Sequence, residues 1–206
     1  MTELKCYRGH IRNWKELCEE LEINTILPRE EREPMILAKG YQAWGKALPD
    51  HLYGMFAFAL WDDEEESLYC ARDHFGTKPF YYYETEEGGL LYGTMIRDIM
   101  EKPGFVKELN EKMLQIYLSL TYVAGEDTFF KGLKKLMPGH FLIWKGGELT
   151  IDSSAAKGIK AGVSLKHQEL PAVPADPWDL TLDYLIDKDG IHAVCSGGIP
   201  WLKRNP

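Results

Sequence analysis

The sequence is short of several things, and each shortage removes a class of function. It has only four cysteines, Cys6, Cys18, Cys70 and Cys195, with no C-x-x-C spacing among them. That scatter argues against a disulfide framework and against structural zinc, and it fits reduced thiols in a cytoplasmic protein. There is no Lys/Arg cluster, and with a formal net charge of −8 a nucleic-acid surface is not expected. No apolar run approaches the length of a membrane span, so no membrane role is expected, and residues 1–5 do not read as a signal peptide. No internal repeat is visible. What remains, at 206 residues, is length for one domain of ordinary size plus an appendage.

What the sequence does have is a dense strand-forming stretch over residues 54–83. From Met55 to Trp61 the side chains split by period two, with Phe56, Phe58 and Leu60 on one face and Met55, Ala57, Ala59 and Trp61 on the other. Both faces are apolar, so the strand is expected to be buried on both sides. The acidic run at 62–66 must be a solvated turn. Residues 67–71 resume an extended pattern, Arg72-Asp73 interrupts it with charge, residues 76–79 turn again, and 80–83 form an aromatic strand. With no room for crossover helices, these three strands predict an antiparallel meander.

Before this stretch, Asn13-Trp14-Lys15-Glu16 predicts a capping box, opening a helix with Trp14, Leu17, Cys18 and Leu21 on one stripe. Residues 30–34 read as a charged connection, with Pro34 in the first turn of a second helix. That helix carries Ile36, Leu37, Tyr41, Trp44 and Leu48 inward and stops near Pro49. After the stretch, Gly88-Gly89 marks a hairpin returning at 90–92, and 96–100 a short helix. Asn110 caps a further helix through Leu120, with Met113, Leu114, Tyr117 and Leu118 on its inner side. Residues 141–144 and 149–151 predict a closing hairpin turned at Gly146-Gly147. Beyond Asp152, residues 153–162 read as a small, polar linker and 170–177 as a proline-stiffened tether. A helix over 176–186 and a strand over 191–195 follow.

The stretches GMFAFALWD and ARDHFGTKPFYYY closely resemble the amidotransferase (glutaminase) domain of glutamine-dependent asparagine synthetases, and the resemblance runs from about Cys6 to Ile151. It implies an α+β fold of the N-terminal-nucleophile type, an αββα sandwich of stacked antiparallel sheets with flanking helices, incomplete at its N-terminus. Residues 1–151 would be the glutaminase-like domain without the family's N-terminal segment, and 152–206 a linker and tail that could carry a remnant of the start of a synthetase (ATP pyrophosphatase) domain. The implied family reaction hydrolyses glutamine and passes ammonia to ATP-dependent asparagine formation. Its ATP and Mg belong to a synthetase domain, so no cofactor is expected in this chain.

The same resemblance locates the chemistry. Such amide hydrolysis needs a thiolate nucleophile, a base and an oxyanion hole. In the family the nucleophile is an N-terminal cysteine, whereas this sequence opens Met1-Thr2-Glu3. Residues 7–13, YRGHIRN, align with the family's [FY]-N-G-E-[IL]-Y-N motif. Arg8 stands where an oxyanion Asn is expected, Gly9 keeps its backbone N–H, and His10 replaces a substrate-holding Glu. Glu33 aligns with the Asp that binds the substrate's α-amino group. Arg8, Gly9, His10 and Glu33 are thus the substrate-binding candidates. Cys6 is the one alternative nucleophile, provided that processing exposes it. Residues 193–199, AVCSGGI, resemble the start of a pyrophosphate loop through Ser196, Gly197 and Gly198, but Pro200-Trp201 follows where Asp-Ser is expected. No metal site is expected.

Three functions follow as alternatives: an inactive relative of the glutaminase domain, an active amidotransferase using Cys6, and a glutamine-binding or docking module acting through Gly9 and Glu33. The segment missing relative to the family is expected to leave sheet edges that a homodimer, a partner subunit or the tail covers.

Overall fold

The computed structural model describes residues 2–121, 123 and 125–154, with three short strands at 161–163, 184–187 and 190–193. The chain divides into two compact units, Met1–Ala156 and Lys157–Pro206. In chain order the first unit holds β1 (Thr2–Ile11), α1 (Trp14–Glu20), α2 (Arg29–Trp44), α3 (Leu48–His51), β2 (Gly54–Asp62) and β3 (Ser67–Arg72). Then come β4 (Tyr81–Glu84), β5 (Leu90–Gly93), α4 (Ile96–Met100), α5 (Glu111–Leu120), β6 (Lys134–Lys135), β7 (His140–Lys145) and β8 (Glu148–Ser153). In the second unit β9 (Ala161–Val163) lies parallel to β10 (Tyr184–Asp187), which pairs antiparallel with β11 (Gly190–Ala193).

The first unit is α+β, with two antiparallel sheets between helices. Strands β1-β2-β3-β7-β8 form one sheet in that order, and β5-β4-β6 the other. The period-two split of β2 decides the layering. Phe56, Phe58 and Leu60 pack with Ile36, Leu37, Leu17 and Leu48 of the helices, while Ala57 and Ala59 pack with Tyr82 of the second sheet and with Phe80 and Leu136 beside its strands. Small residues at 57 and 59 leave room for those rings, so two sheets can interdigitate. On the far side Ile99 of α4 packs with Tyr83 and Leu133.

Residues 55–61 are strand and almost wholly buried, as their pattern predicts. The meander is not borne out: β2 and β3 pair, but β4 belongs to the second sheet. The reason lies in the turn between them. Asp73 is buried and accepts four backbone N–H groups, from Phe56, Phe75, Thr77 and Lys78. The Arg72 guanidinium donates to the carbonyls of Lys78, Gly76 and Leu136. Together they fold 73–78 into a compact turn and carry the chain from one sheet to the other.

Three local expectations also change. Asn13 makes no cap bond to α1; its amide donates to the His51 carbonyl and its oxygen accepts the Tyr53 N–H, tying the entry of α1 to the end of α3. The second helix begins at Arg29, one turn before the expected start, and Pro34 sits inside it. Pro28 at the cap accepts the N–H groups of Glu31 and Arg32, which starts the helix early. The stop comes from Gly45, at φ 55°, and Pro49 opens α3 instead.

Asn110 does cap α5, accepting the Met113 N–H at 3.3 Å. Of the four residues expected inward, Met113 is buried, but Leu118 is 73% exposed. β8 runs to Ser153, and Ala161-Gly162 is strand, so 153–162 is not wholly a linker. The expected helix through Ile186 is contradicted at its end, where Tyr184–Asp187 is strand; its earlier residues lie outside the described ones. The last expected strand is β11, ending at Ala193.

Candidate functional site

The site is built on the C-terminal half of β1, an edge strand whose outer side meets the first two turns of α2. Its backbone direction follows from β2. Phe56, opposite Gly9, gives its N–H to an Asp73 carboxylate oxygen and its carbonyl accepts the Asp73 N–H. Gly9 and Phe56 are therefore a non-hydrogen-bonded pair, and both the N–H and the carbonyl of Gly9 point off the sheet's edge. The Arg29 guanidinium donates to that carbonyl, and Ile11, two residues on, gives its N–H to Glu33. Gly9 itself is required by closeness: an added Cβ would lie 2.2 Å from the Met55 carbonyl oxygen and 2.8 Å from the Phe56 Cα.

Glu33 is the centre of the arrangement. It is buried, and its two oxygens meet four partners: the Tyr7 hydroxyl at 2.8 Å, Arg29 Nε at 3.0 Å, His10 Nδ1 at 2.8 Å and the Ile11 N–H at 3.1 Å. A carboxylate has about four acceptor positions, so this one is filled by the chain's own groups. Burial alone pushes its pKa up, but hydrogen bonds from Arg29, Tyr7, Ile11 and His10 outweigh burial and hold it below the usual range. The Tyr7 hydroxyl is pushed well above its ordinary value, by burial first and then by its bond to the carboxylate. Tyr7, Gly9, Arg29, Glu30, Glu33 and Pro34 line an open cleft of about 220 Å³.

Of the residues singled out in the sequence, Gly9, His10 and Glu33 are brought together here. Arg8 is exposed, and by strand alternation it shares the opposite face with Cys6. Cys6 packs with Ala57, Ala59, Cys70 and Phe80 between the sheets, and burial pushes its thiol up to about 11. Such a thiol is almost wholly protonated near neutrality and a poor nucleophile. Cys6 and Cys70 flank Ala59 on neighbouring strands. They are thus two strand spacings apart, roughly 9–10 Å, too far for a disulfide. Cys18 and Cys70 are buried free thiols.

Tyr7, Arg29 and Glu30 were not foreseen. The i,i+4 spacing of Arg29 and Glu33 is visible in the sequence, but it means something only once Pro28 is placed at the cap. Ser196, Gly197 and Gly198 lie outside the described residues. Among the described residues no group of three His, Cys, Asp or Glu could hold a metal ion.

This geometry has relatives. The sequence matches the glutamine amidotransferase domain family over residues 3–154. A putative glutamine-hydrolysing asparagine synthetase of Mycobacterium tuberculosis is 37% identical over 140 residues, which are 66% of this chain and 21% of that protein. Glutamine-hydrolysing asparagine synthetase 1 of Bacillus subtilis is 32% identical over 194 residues, 94% of this chain and 30% of that protein. The chain thus spans less than a third of the length of these curated relatives. The glutamine phosphoribosylpyrophosphate amidotransferase of B. subtilis, solved with ADP and GMP, superposes with a TM-score of 0.50 at 14% identity, over 78% of this chain and 30% of that one. That likeness shows a shared fold of stacked antiparallel sheets and flanking helices. With most of its length matched to one domain family, the chain belongs to the glutamine amidotransferases, and its sequence relatives include glutamine-hydrolysing asparagine synthetases.

Proposed function

We propose that this chain supplies the framework of a glutamine site but not the group that attacks glutamine, and acts as a binding or docking module rather than as a glutaminase by itself. One observation carries the proposal. The thiol nearest to the Gly9 N–H in sequence, Cys6, lies in the core between the sheets, while the cleft holding Tyr7, Gly9 and Glu33 opens beside the helices. A nucleophile and an oxyanion donor must converge on one carbonyl, and here the thiol is turned into the core while the Gly9 N–H points off the sheet's edge. Arg8, standing where a neutral amide donor is expected, is exposed on the Cys6 side.

In this reading the relatives' reaction, glutamine hydrolysis supplying ammonia to ATP-dependent asparagine formation in the cytoplasm, is completed by groups other than those described here. ATP and Mg would be held by a synthetase portion, whose opening loop residues 193–199 resemble. A second copy or a partner subunit would cover the part of the β1 edge around the exposed Glu3 and Lys5, because the bonds from α2 to β1 fall between Tyr7 and Ile11. The test is ammonia release from glutamine by the wild type and by Cys6→Ala. Neither is expected to turn over; release by the wild type that is lost in Cys6→Ala overturns the proposal.

A further inference from the structure

The five-stranded sheet ends in β1 on one side and β8 on the other, and the two end strands differ in charge. β8 carries Glu148 and Asp152, both exposed, and no basic residue. Two copies laid edge to edge there bring acid toward acid, a common way for sheets to keep their edges unpaired. β1 carries one exposed charge of each sign near its start. Lys5 Nζ donates to Glu3 at 2.6 Å, so the two stand on one face of the strand, while Leu4 between them packs toward the helix-side core. The backbone at Leu4 follows from β2. Phe56 turns its N–H and carbonyl toward Asp73, away from β1, and alternation gives Phe58 and Leu60 the same orientation. Leu60 lies opposite Leu4, so the N–H and carbonyl of Leu4 point off the sheet's edge, while those of Glu3 turn in toward Trp61.

We propose that a second copy of this chain pairs at this edge, β1 antiparallel to β1, about a two-fold axis at Leu4. Leu4 then exchanges both backbone hydrogen bonds with Leu4 of the second copy. Glu3 stands opposite Lys5 of that copy, and Lys5 opposite its Glu3. Both are non-hydrogen-bonded positions, where facing side chains come closest. Two intrachain charges thereby become a ring of four with alternating sign. Centring the pair on Glu3 or on Lys5 instead would set like charges against each other, which is destabilising. The order of one negative and one positive charge is its own complement when the strand is reversed, and this favours a second copy over a foreign strand. A two-fold contact is isologous and closes at two copies, joining two five-stranded sheets into one. So short a contact belongs at the weak end of specific interfaces, with a Kd of roughly 10–100 µM. The inference deepens the docking reading above by naming the partner, and it rests on that reading.

The test is sedimentation velocity on the full chain across roughly 1–500 µM, a range that brackets that Kd. The wild type is expected to pass from monomer to dimer and stop there, with exchange of the Leu4 amide slowing as the dimer fills. Lys5→Glu and Glu3→Lys each set like charges opposite one another twice, and each should weaken self-association about tenfold or more. An equimolar mixture of the two variants should associate at least as well as the wild type, because each chain then presents two like charges to two of the other sign. That rescue also shows that both variants fold. The proposal is overturned if the wild type stays monomeric across the range, if either variant self-associates as tightly as the wild type, or if the mixture stays monomeric. It is equally overturned if particles grow past the dimer, as a non-closing contact of β1 with β8 would make them do. A monomer that releases no ammonia from glutamine removes this inference alone. Cys6-dependent ammonia release by a dimer overturns the non-catalytic reading and supports the pairing.

Discussion

Two buried carboxylates anchor this fold, and they are satisfied in different ways. Asp73 accepts four backbone N–H groups, three of them within the next five residues and the fourth from Phe56 across the sheet. Glu33 accepts one backbone N–H, from Ile11, and three side-chain groups. Backbone donors stay where the fold puts them, whereas side-chain donors rotate or swing into water. Asp73 is therefore a fixture of the two-sheet stack, and Glu33 a clasp whose parts remain adjustable. The adjustable one borders the open cleft, as expected of a site grafted onto a shared framework.

The same isosteric change at both places tests the comparison. Asp73→Asn turns one oxygen into an NH2 group that confronts two immovable N–H donors, and the cost should be about 3–5 kcal/mol in chemical denaturation. Glu33→Gln should cost only about 1–2 kcal/mol, because the Tyr7 hydroxyl can turn to accept and Arg29 can move to solvent while Ile11 keeps its acceptor. Equal losses at the two positions would break the distinction between fixture and clasp.

Acid sharpens it further. The Glu33 carboxyl is held below its usual value, so its stabilisation is complete above the unfolded pKa of about 4.3 and is lost as pH falls through the lower folded value. The stability difference between wild type and Glu33→Gln should accordingly be constant near neutrality and shrink in that acid window. A difference that instead grew on acidification would mean that the carboxyl is raised, not lowered, in the folded protein.

How far these features were legible depended on the kind of contact. The alternation at 55–61 revealed a doubly buried strand because period two is a property of the chain alone. Arg72-Asp73 was legible as a charged interruption of the strand pattern, but not as the bridge between sheets, since the Arg72 bond to Leu136 spans 64 positions. Pro34 misled because a proline near a helix start usually sits in the first turn; here Pro28 takes the start, and the turn ahead of Pro34 is clasped by Arg29 and Glu33. Gly9, His10 and Glu33 were legible as a group only through resemblance. Tyr7 and Arg29 were not, because their roles depend on which side of β1 the helix covers.

The smallest expected effect separates the clasp into its parts. Tyr7→Phe removes one hydroxyl donor from Glu33 and leaves Arg29, His10 and the Ile11 N–H in place. The loss should be about 1 kcal/mol or less at neutral pH, since the phenyl ring keeps its packing beside Leu4 and the helices. Because the Tyr7 bond helps to lower the Glu33 carboxyl, its removal should move that titration upward toward the ordinary range, readable on the Glu33 carboxyl carbon by NMR. No single side-chain deletion can do the same at Asp73, where every donor is main chain. A Glu33 titration unchanged in Tyr7→Phe would show that the hydroxyl is not a working member of the clasp, and that Arg29 and the strand amide hold the carboxylate without it.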